Sequence, residues 1–562
     1  MPETKSKFLI PAVGAAVVVA GSVAAYIYLK GPSGDGSGAL SSAKFVPASA
    51  YMATYITTDP QAWAKLQQFG TPEAQKLLAQ GFESLNQDLL SDSNITYEKD
   101  IKPWVGGVMM AVLPPNPTKT NQLNTESSAT PTPIKRQQEP QVLMVLGIKD
   151  KLSALNFANK LKAQKGVKTK ETDYKGEKIT ETASENGKAT YTAVLNNSYI
   201  VFSPEKPAVE QSIDAFKGQP SLANKAGANT ILAKNVDVKN SLAQVYIPDY
   251  PGMIQQLVAA NPQSSLTPQT LKQLQQVKSV VAAVGVDDAG LRLKAIANLD
   301  PQLNKFEYQN SPSKIVGQFP SDTFALISGQ GISQSWSTLV AQSQEYPEFN
   351  QVLEQARGQL QLVNIDLDKE VFGWMNGEFA FAAIPSNQGI LASIGFGGAM
   401  VFDTSDRKTA EATLTKLDNL AKAQTINVTT RNIGGKNITE WQIPQQGALF
   451  AHGWLDQDTV FLAVGGPVAE ALANNKNQSL ENSDTFKAIT ASLQKPNGGY
   501  FYLDMDKTMS LVNRFAAPTQ SIPPEANAIL SSIRGLGVTA TSPDKSTSQL
   551  EMLLALKPST AK

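Results

Sequence analysis

Two short runs along the chain are apolar on both faces, and each is introduced by a Trp with a Gly three residues on. The first is Pro103-Trp104-Val105-Gly106-Gly107 leading into residues 108–113, and the second is Gly373-Trp374-Met375-Asn376-Gly377 leading into residues 378–384. Apolarity on both sides of so short a run predicts a buried central strand. The same series of elements is expected around each. A strand opens it (51–57 or 323–328), then a helix carrying another Trp. Asp59-Pro60 is a helix start in which the Asp caps and the Pro takes the first turn. A second helix begins at Pro72 or Pro347, with Leu78, Phe82, Leu85 and Leu89 on one face in the first copy.

Two strands follow, 105–113 and 142–148 in the first copy. They are joined by residues 115–140, a Pro/Thr/Gln-rich segment expected to be disordered. In the second copy the link is far shorter and contains Ser386-Asn387-Gln388-Gly389. Next come an amphipathic helix (152–163 or 409–423) and short strands with turn signals at Lys175-Gly176 and Gly434-Gly435. A helix after Pro207 or Pro467 leads to a strand (242–247 or 499–503). A further helix starts at Thr267-Pro268 or Pro523-Pro524, with Leu271, Leu274 and Val277 on one face. Two strands close each copy (280–286 and 291–297, or 535–541 and 548–556). Strands in hairpins with helices in clusters predict an α+β fold, a tandem duplication of an antiparallel-sheet unit with packed helices.

Duplication rests on anchors in one order at nearly constant offset. Pro47, Tyr51, Trp63 and Leu66 meet Pro320, Phe324, Trp336 and Leu339, all 273 apart. Ile179-Thr180-Glu181 meets Ile438-Thr439-Glu440 at 259, and Pro268 with Leu274 meets Pro524 with Leu530 at 256. The drift in offset requires insertions and deletions, which normally fall in surface loops. The repeats are placed at 45–312 and 313–562.

Ahead of them, residues 8–29 carry no charge, and 22 residues at about 1.5 Å each cross a hydrocarbon core of about 30 Å. Residues 1–30 are read as a cytoplasmic stub and transmembrane anchor, since Lys5 and Lys7 precede the run. The bulk of the chain would then lie outside the cytoplasm. A cleaved signal peptide is the competing reading, with Ser22-Val23-Ala24 as the small residues before the cut. The Gly/Ser-rich stretch 31–44 reads as a flexible linker.

Composition narrows the chemistry. With 49 basic and 49 acidic residues there is no general attraction to nucleic acid, and none is expected as a partner. The absence of cysteine excludes disulfides, thiol nucleophiles and thiolate metal sites. His452 is the one histidine, so a multi-histidine metal site within a single chain is excluded, and a structural or surface role is expected. Gly434-Gly435-Lys436 reads as a hairpin turn rather than a phosphate loop.

Ser41 with Lys44, Ser203 with Lys206, and Ser311 with Lys314 match S-x-x-K, but none sits in an evident rigid helix start. Asp504 and Asp506, or Asp287 and Asp288, are the carboxylates that hard cations would use, although a solvated turn is the commoner arrangement. The expectation is therefore no catalytic, cofactor-binding or metal residues and no cofactor. Residues 149–178 hold nine lysines against four acids; a solvated helix and hairpin is the commoner reading of such a flank, and a site for anionic lipid or an acidic protein the alternative.

The landmarks together resemble the mainly cyanobacterial domain of unknown function 3352 (DUF3352) family: the hydrophobic N-terminal segment, the opening from Pro47 to Pro60, and the strand at Trp104 to Gly107. The resemblance covers the chain after the anchor and implies a cyanobacterial setting, with periplasm or thylakoid lumen as the outside. It implies no activity and transfers no catalytic residue. On this basis the chain is expected to be a membrane-anchored, non-enzymatic binding or scaffold module, held to the membrane by its N-terminal helix and available to a protein partner. The alternatives are a carboxylate- or metal-dependent envelope hydrolase using Asp504 and Asp506, and a carrier of an apolar ligand.

Overall fold

The computed structural model describes residues 38–77, 99, 102–115, 140–162, 168–183, 189–225, 228, 236–259, 270, 273–304, 307–345, 347–475, 478–515 and 522–559. The anchor 8–29, the segment 116–139, the helical face Leu78 to Leu89 and the helix start at Thr267-Pro268 lie outside the described residues. Among those described, no helix is long and apolar enough to cross a membrane. The chain divides into two compact units, one of residues 1–68, 75–287 and 293–300, the other of 69–74, 288–292 and 301–562. Both are mixed α+β, and every strand pair with a described register is antiparallel.

In the first unit the strands are β1 (Met52–Thr57), β2 (Val105–Leu113), β3 (Gln141–Ile148), β4 (Lys168–Tyr174), β5 (Glu177–Ala183), β6 (Ala189–Leu195), β7 (Tyr199–Ser203), β8 (Ser241–Ile247), β9 (Val277–Val286) and β10 (Gly290–Leu299), the last from residue 293 on, its first three residues being counted with the second unit. They pair in the order β4-β5-β6-β7-β3-β2-β1-β8-β9-β10. One sheet face buries Ala53, Met109, Leu143, Val145 and Val201 against Val209 and Ile213 of the Lys206–Phe216 helix. On the other face the Lys151–Lys162 helix sets Ala154 against Trp104, Val105 and Val108. The Tyr250–Ala259 helix brings Met253 onto Met52 on that same face.

The second unit has β11 (Ala325–Gln330), β12 (Glu378–Pro385), β13 (Phe396–Asp403), β14 (Asn427–Ile433), β15 (Lys436–Ile443), β16 (Gly447–Trp454), β17 (Thr459–Val464), β18 (Tyr500–Asp504), β19 (Ile533–Asp544) and β20 (Thr547–Leu556). Their order is β14-β15-β16-β17-β13-β12-β11-β18-β19-β20, the same as in the first unit strand for strand. Leu326, Ala380, Val401 and Phe461 face a core closed by Val468 and Leu472 of the Gly466–Ala473 helix. The opposite face is partly covered by the Arg407–Ala423 helix, whose Ala410 and Leu414 pack on Trp374, Phe402 and Val460.

Local signals act as the sequence predicts at several points. Asp59 accepts from the Gln61 amide and caps the Pro60–Leu66 helix. Gly434 and Gly435, at φ 62° and 83°, form the β14–β15 turn, a left-handed backbone that suits residues without a Cβ.

Two expectations differ from the structure. The linker 31–44 is not irregular to its end, because Ala39–Ala43 is a helix with Ala39, Ser42 and Ala43 buried. Small residues allow that close packing, and composition alone does not separate them from a tether. Val277, expected on a helix face, instead opens β9, which pairs with β8.

Candidate apolar site on the second unit

Register decides which side chains share a face. Across β18, β11, β12 and β13 the residues Phe501, Ile327, Phe381 and Met400 are directly opposed, forming a row of large apolar side chains on the face away from the core. The adjacent row on that face is Leu503, Ala325, Ala383 and Gly398, again directly opposed, with the small residues on β11, β12 and β13. Three small residues beside a row of large ones leave a trough, of about 330 Å³, lined also by Val464. An ideal Cβ on Gly398 would meet nothing within 4 Å, so the floor opens into free space. Ile327, Phe381 and Val464 are 50%, 36% and 40% exposed, so the trough faces solvent.

The corresponding row of the first unit carries larger side chains, of which Val142 is 38% exposed. There the directly opposed residues are Met52, Val112 and Val142, and Met253 packs over Met52. Met, Val and Val thus stand where the second unit has Ala, Ala and Gly. No lining residue of the trough carries a titratable group, and the sheet backbone beneath is engaged in its ladder. The surface is apolar and open, a trough suited to lying against hydrocarbon and not an enclosed pocket.

The residues considered for chemistry are engaged elsewhere. Asp504 ends β18 buried, with its carboxylate accepting from the Lys507 amide at 3.1 Å and its carbonyl accepting from Thr508 Oγ1 at 2.6 Å. It therefore serves as the cap of the Met505–Phe515 helix. Asp506 is on that helix, exposed, and pairs with Lys557 at 2.5 Å. Capping turns one carboxylate inward while the other pairs at the surface, so the two do not converge. Asp287 ends in the turn between β9 and β10 with Asp288 beside it.

Ser203 donates to the Val142 carbonyl at 2.7 Å, while Lys206 pairs with Glu210 at 3.3 Å. Ser41 lies in the Ala39–Ala43 helix and hydrogen-bonds Tyr199. Ser311 donates to buried Glu378, whose carboxylate also accepts from the amides of Ser313 and Ile315. Glu378 thereby fixes the turn before Lys314 instead of activating the serine.

His452 is buried, its Nε2 lying 2.9 Å from Asp418 Oδ1, and Trp441 Nε1 donates to the same oxygen at 2.7 Å. Asp418 is on the Arg407–Ala423 helix, so the histidine and tryptophan tie that helix to β15 and β16. Lys436 donates to the Ala473 carbonyl at 2.7 Å, as a hairpin residue next to a helix end. Within the lysine flank, Lys175 pairs with Asp214 at 2.6 Å and Lys178 with Glu171 at 3.0 Å. The trough residues themselves are absent from the sequence-based candidates. The signal present was the run of small residues at 382–383 and 397–399, which means nothing until register aligns it.

The family model described as "Protein of unknown function (DUF3352)" matches residues 12–556. The chain belongs to that family. No curated protein matches it. Among solved structures, crystal forms III and IV of TP0453 align with 46% of this chain and 79% of theirs, at 11% and 10% identity and TM-scores of 0.25 and 0.26. At that level of similarity nothing of TP0453 transfers to this DUF3352 protein.

Proposed function

We propose that this is a non-enzymatic binding protein, anchored in a membrane by residues 8–29, whose second unit holds a hydrocarbon segment of a lipid- or pigment-like molecule in the trough. The observation carrying the reading is the Ala325, Ala383 and Gly398 row, small where the same row of the first unit carries Met52, Val112 and Val142. A packed sheet gains nothing from a vacant apolar row exposed to water, since each buried CH₂ is worth about 0.8 kcal/mol. Two units with one strand order also support an origin by tandem duplication, after which one copy carries larger side chains in this row and the other smaller ones. The hydrolase alternative is disfavoured by Asp504 and Asp506, which cap a helix and pair with Lys557.

The test is a variant that gives the second unit the first unit's row: Ala325→Met, Ala383→Val and Gly398→Val together. Organic extracts of purified full-length protein are compared by mass spectrometry. The wild type is expected to retain apolar material in stoichiometric amount, and the variant to lose most of it with an unchanged melting temperature. Equal extracts would contradict the trough as the site. Anchoring has its own check: protease added to intact spheroplasts, or to inside-out thylakoid vesicles, is expected to remove residues 39–562 in one of the two. Full protection in both would contradict the topology.

A further inference from the structure

A second surface distinguishes the units, independent of the trough. The Lys151–Lys162 helix of the first unit and the Arg407–Ala423 helix of the second occupy the same place after β3 and β13. Both start in the same way. Asp150 accepts from the Ser153 amide at 2.8 Å and Asp406 from the Thr409 amide at 3.1 Å, which aligns Ala154 with Ala410, both buried. The outward positions can then be compared one by one. Leu152 and Leu155, 70% and 57% exposed, stand where the second unit has Lys408 and Glu411, the latter paired with Arg407 at 2.6 Å. The fold therefore does not require leucine at either position.

At about 100° per residue, Leu152, Leu155 and Asn159 share the outward stripe, with Lys151 on one side of it and Lys160 on the other. Both lysines are exposed, and Lys160 also has a contact of its own within the chain, which lipid phosphate would have to share or replace. A partner for this stripe must accept leucine side chains at its centre and offer negative charge at both edges. An anionic bilayer does so, with hydrocarbon beneath a charged headgroup layer. The apolar run 8–29 of the same chain favours a membrane over an acidic protein as the source of that chemistry. We propose that the Lys151–Lys162 helix docks on an anionic lipid surface, with Leu152 and Leu155 entering the headgroup layer and Lys151 and Lys160 pairing with lipid phosphates. Each lysine held near such a surface is worth about fivefold in partitioning.

The chain has no cysteine, so a single introduced one can be labelled without background. Asn156→Cys, exposed beside the stripe, is labelled with an environment-sensitive fluorophore, and Ala412→Cys is labelled at the matching position of the second unit. Full-length protein is reconstituted into vesicles of phosphatidylcholine alone and of phosphatidylcholine with phosphatidylglycerol, so the N-terminal segment is the same in both. The probe at 156 is expected to shift blue and lose its quenching by aqueous iodide only with phosphatidylglycerol present, while the probe at 412 stays quenchable. Both changes should vanish in Leu152→Ser/Leu155→Ser and should weaken in Lys151→Gln/Lys160→Gln. Full iodide quenching at 156 in both vesicles would overturn the proposal and leave an acidic protein as the partner of this stripe. Persistence of the blue shift in the double serine variant would overturn it equally. Near-ultraviolet circular dichroism of the serine variant separates lost docking from lost fold.

Discussion

Replacing Trp374 by Ala is expected to cost the second unit about 3–5 kcal/mol, the range for deleting a large buried aromatic. Trp374 is 3% exposed, meets Phe402 edge-on at 5.7 Å between ring centroids, and is enclosed by Ala410, Leu414 and Val460. Its Nε1 donates to the Glu370 carbonyl at 2.8 Å, and Thr413 Oγ1 donates to the same oxygen. Truncation therefore opens a cavity and removes the hydrogen bond that holds the indole to the helical turn Leu367–Phe372. Trp104 occupies the matching place in the first unit, 2% exposed beside Phe157 at 5.4 Å, and Trp104→Ala should cost a similar amount. Denaturant unfolding followed by circular dichroism reads both. A variant that loses bound apolar material while its unfolding midpoint stays at the wild-type value would contradict the structural assignment and make the tryptophan a ligand contact.

The second large effect is a pH dependence centred on Asp403, at the end of β13. Burial pushes its carboxyl up from 3.8 to about 6; the hydrogen bond from Thr459 opposes this, and the nearby acids Glu378, Asp458 and Asp456 add to it. Thr459 Oγ1 donates to Asp403 Oδ1 at 2.8 Å. Because the folded value lies above the unfolded one, the folded state holds its proton more tightly. The associated stability is complete below about pH 4 and is lost as pH rises through 6. Discounted for the solvent that still reaches the group, this amounts to on the order of 1–2 kcal/mol. Asp403→Asn should keep that stability at neutral pH and flatten the slope between pH 4 and 6 in urea melts. An unchanged slope in the variant would assign the dependence to another carboxylate.

The order of elements was legible from the chain because period and punctuation are local. Asp59-Pro60 starts its helix, Gly434-Gly435 turns its hairpin, and the Trp-Gly runs lie at the heads of β2 and β12. The end of the Gly/Ser stretch was misread because Ala39, Ser42 and Ala43 are helical only through the core they pack into. Buried chemistry was half legible. A lone histidine excluded multi-histidine sites, yet Asp418, which His452 meets, lies 34 residues away and gives no sign of it.

The sequence by itself determined the class of the fold, its two-copy plan and the groups of reactions closed to it, since apolar periodicity, repeated anchors and missing residue types are all properties of a linear chain. Only the tertiary structure decided which side chains share a face. Ala325, Ala383 and Gly398 are far apart in sequence and become one floor through antiparallel register. Leu152 and Leu155 stand out only once the capped helices of the two units are aligned and the second shows Lys408 and Glu411 in their places. Hydrophobicity reads the same in a core as on a surface, and it is packing that assigns each residue to one or the other.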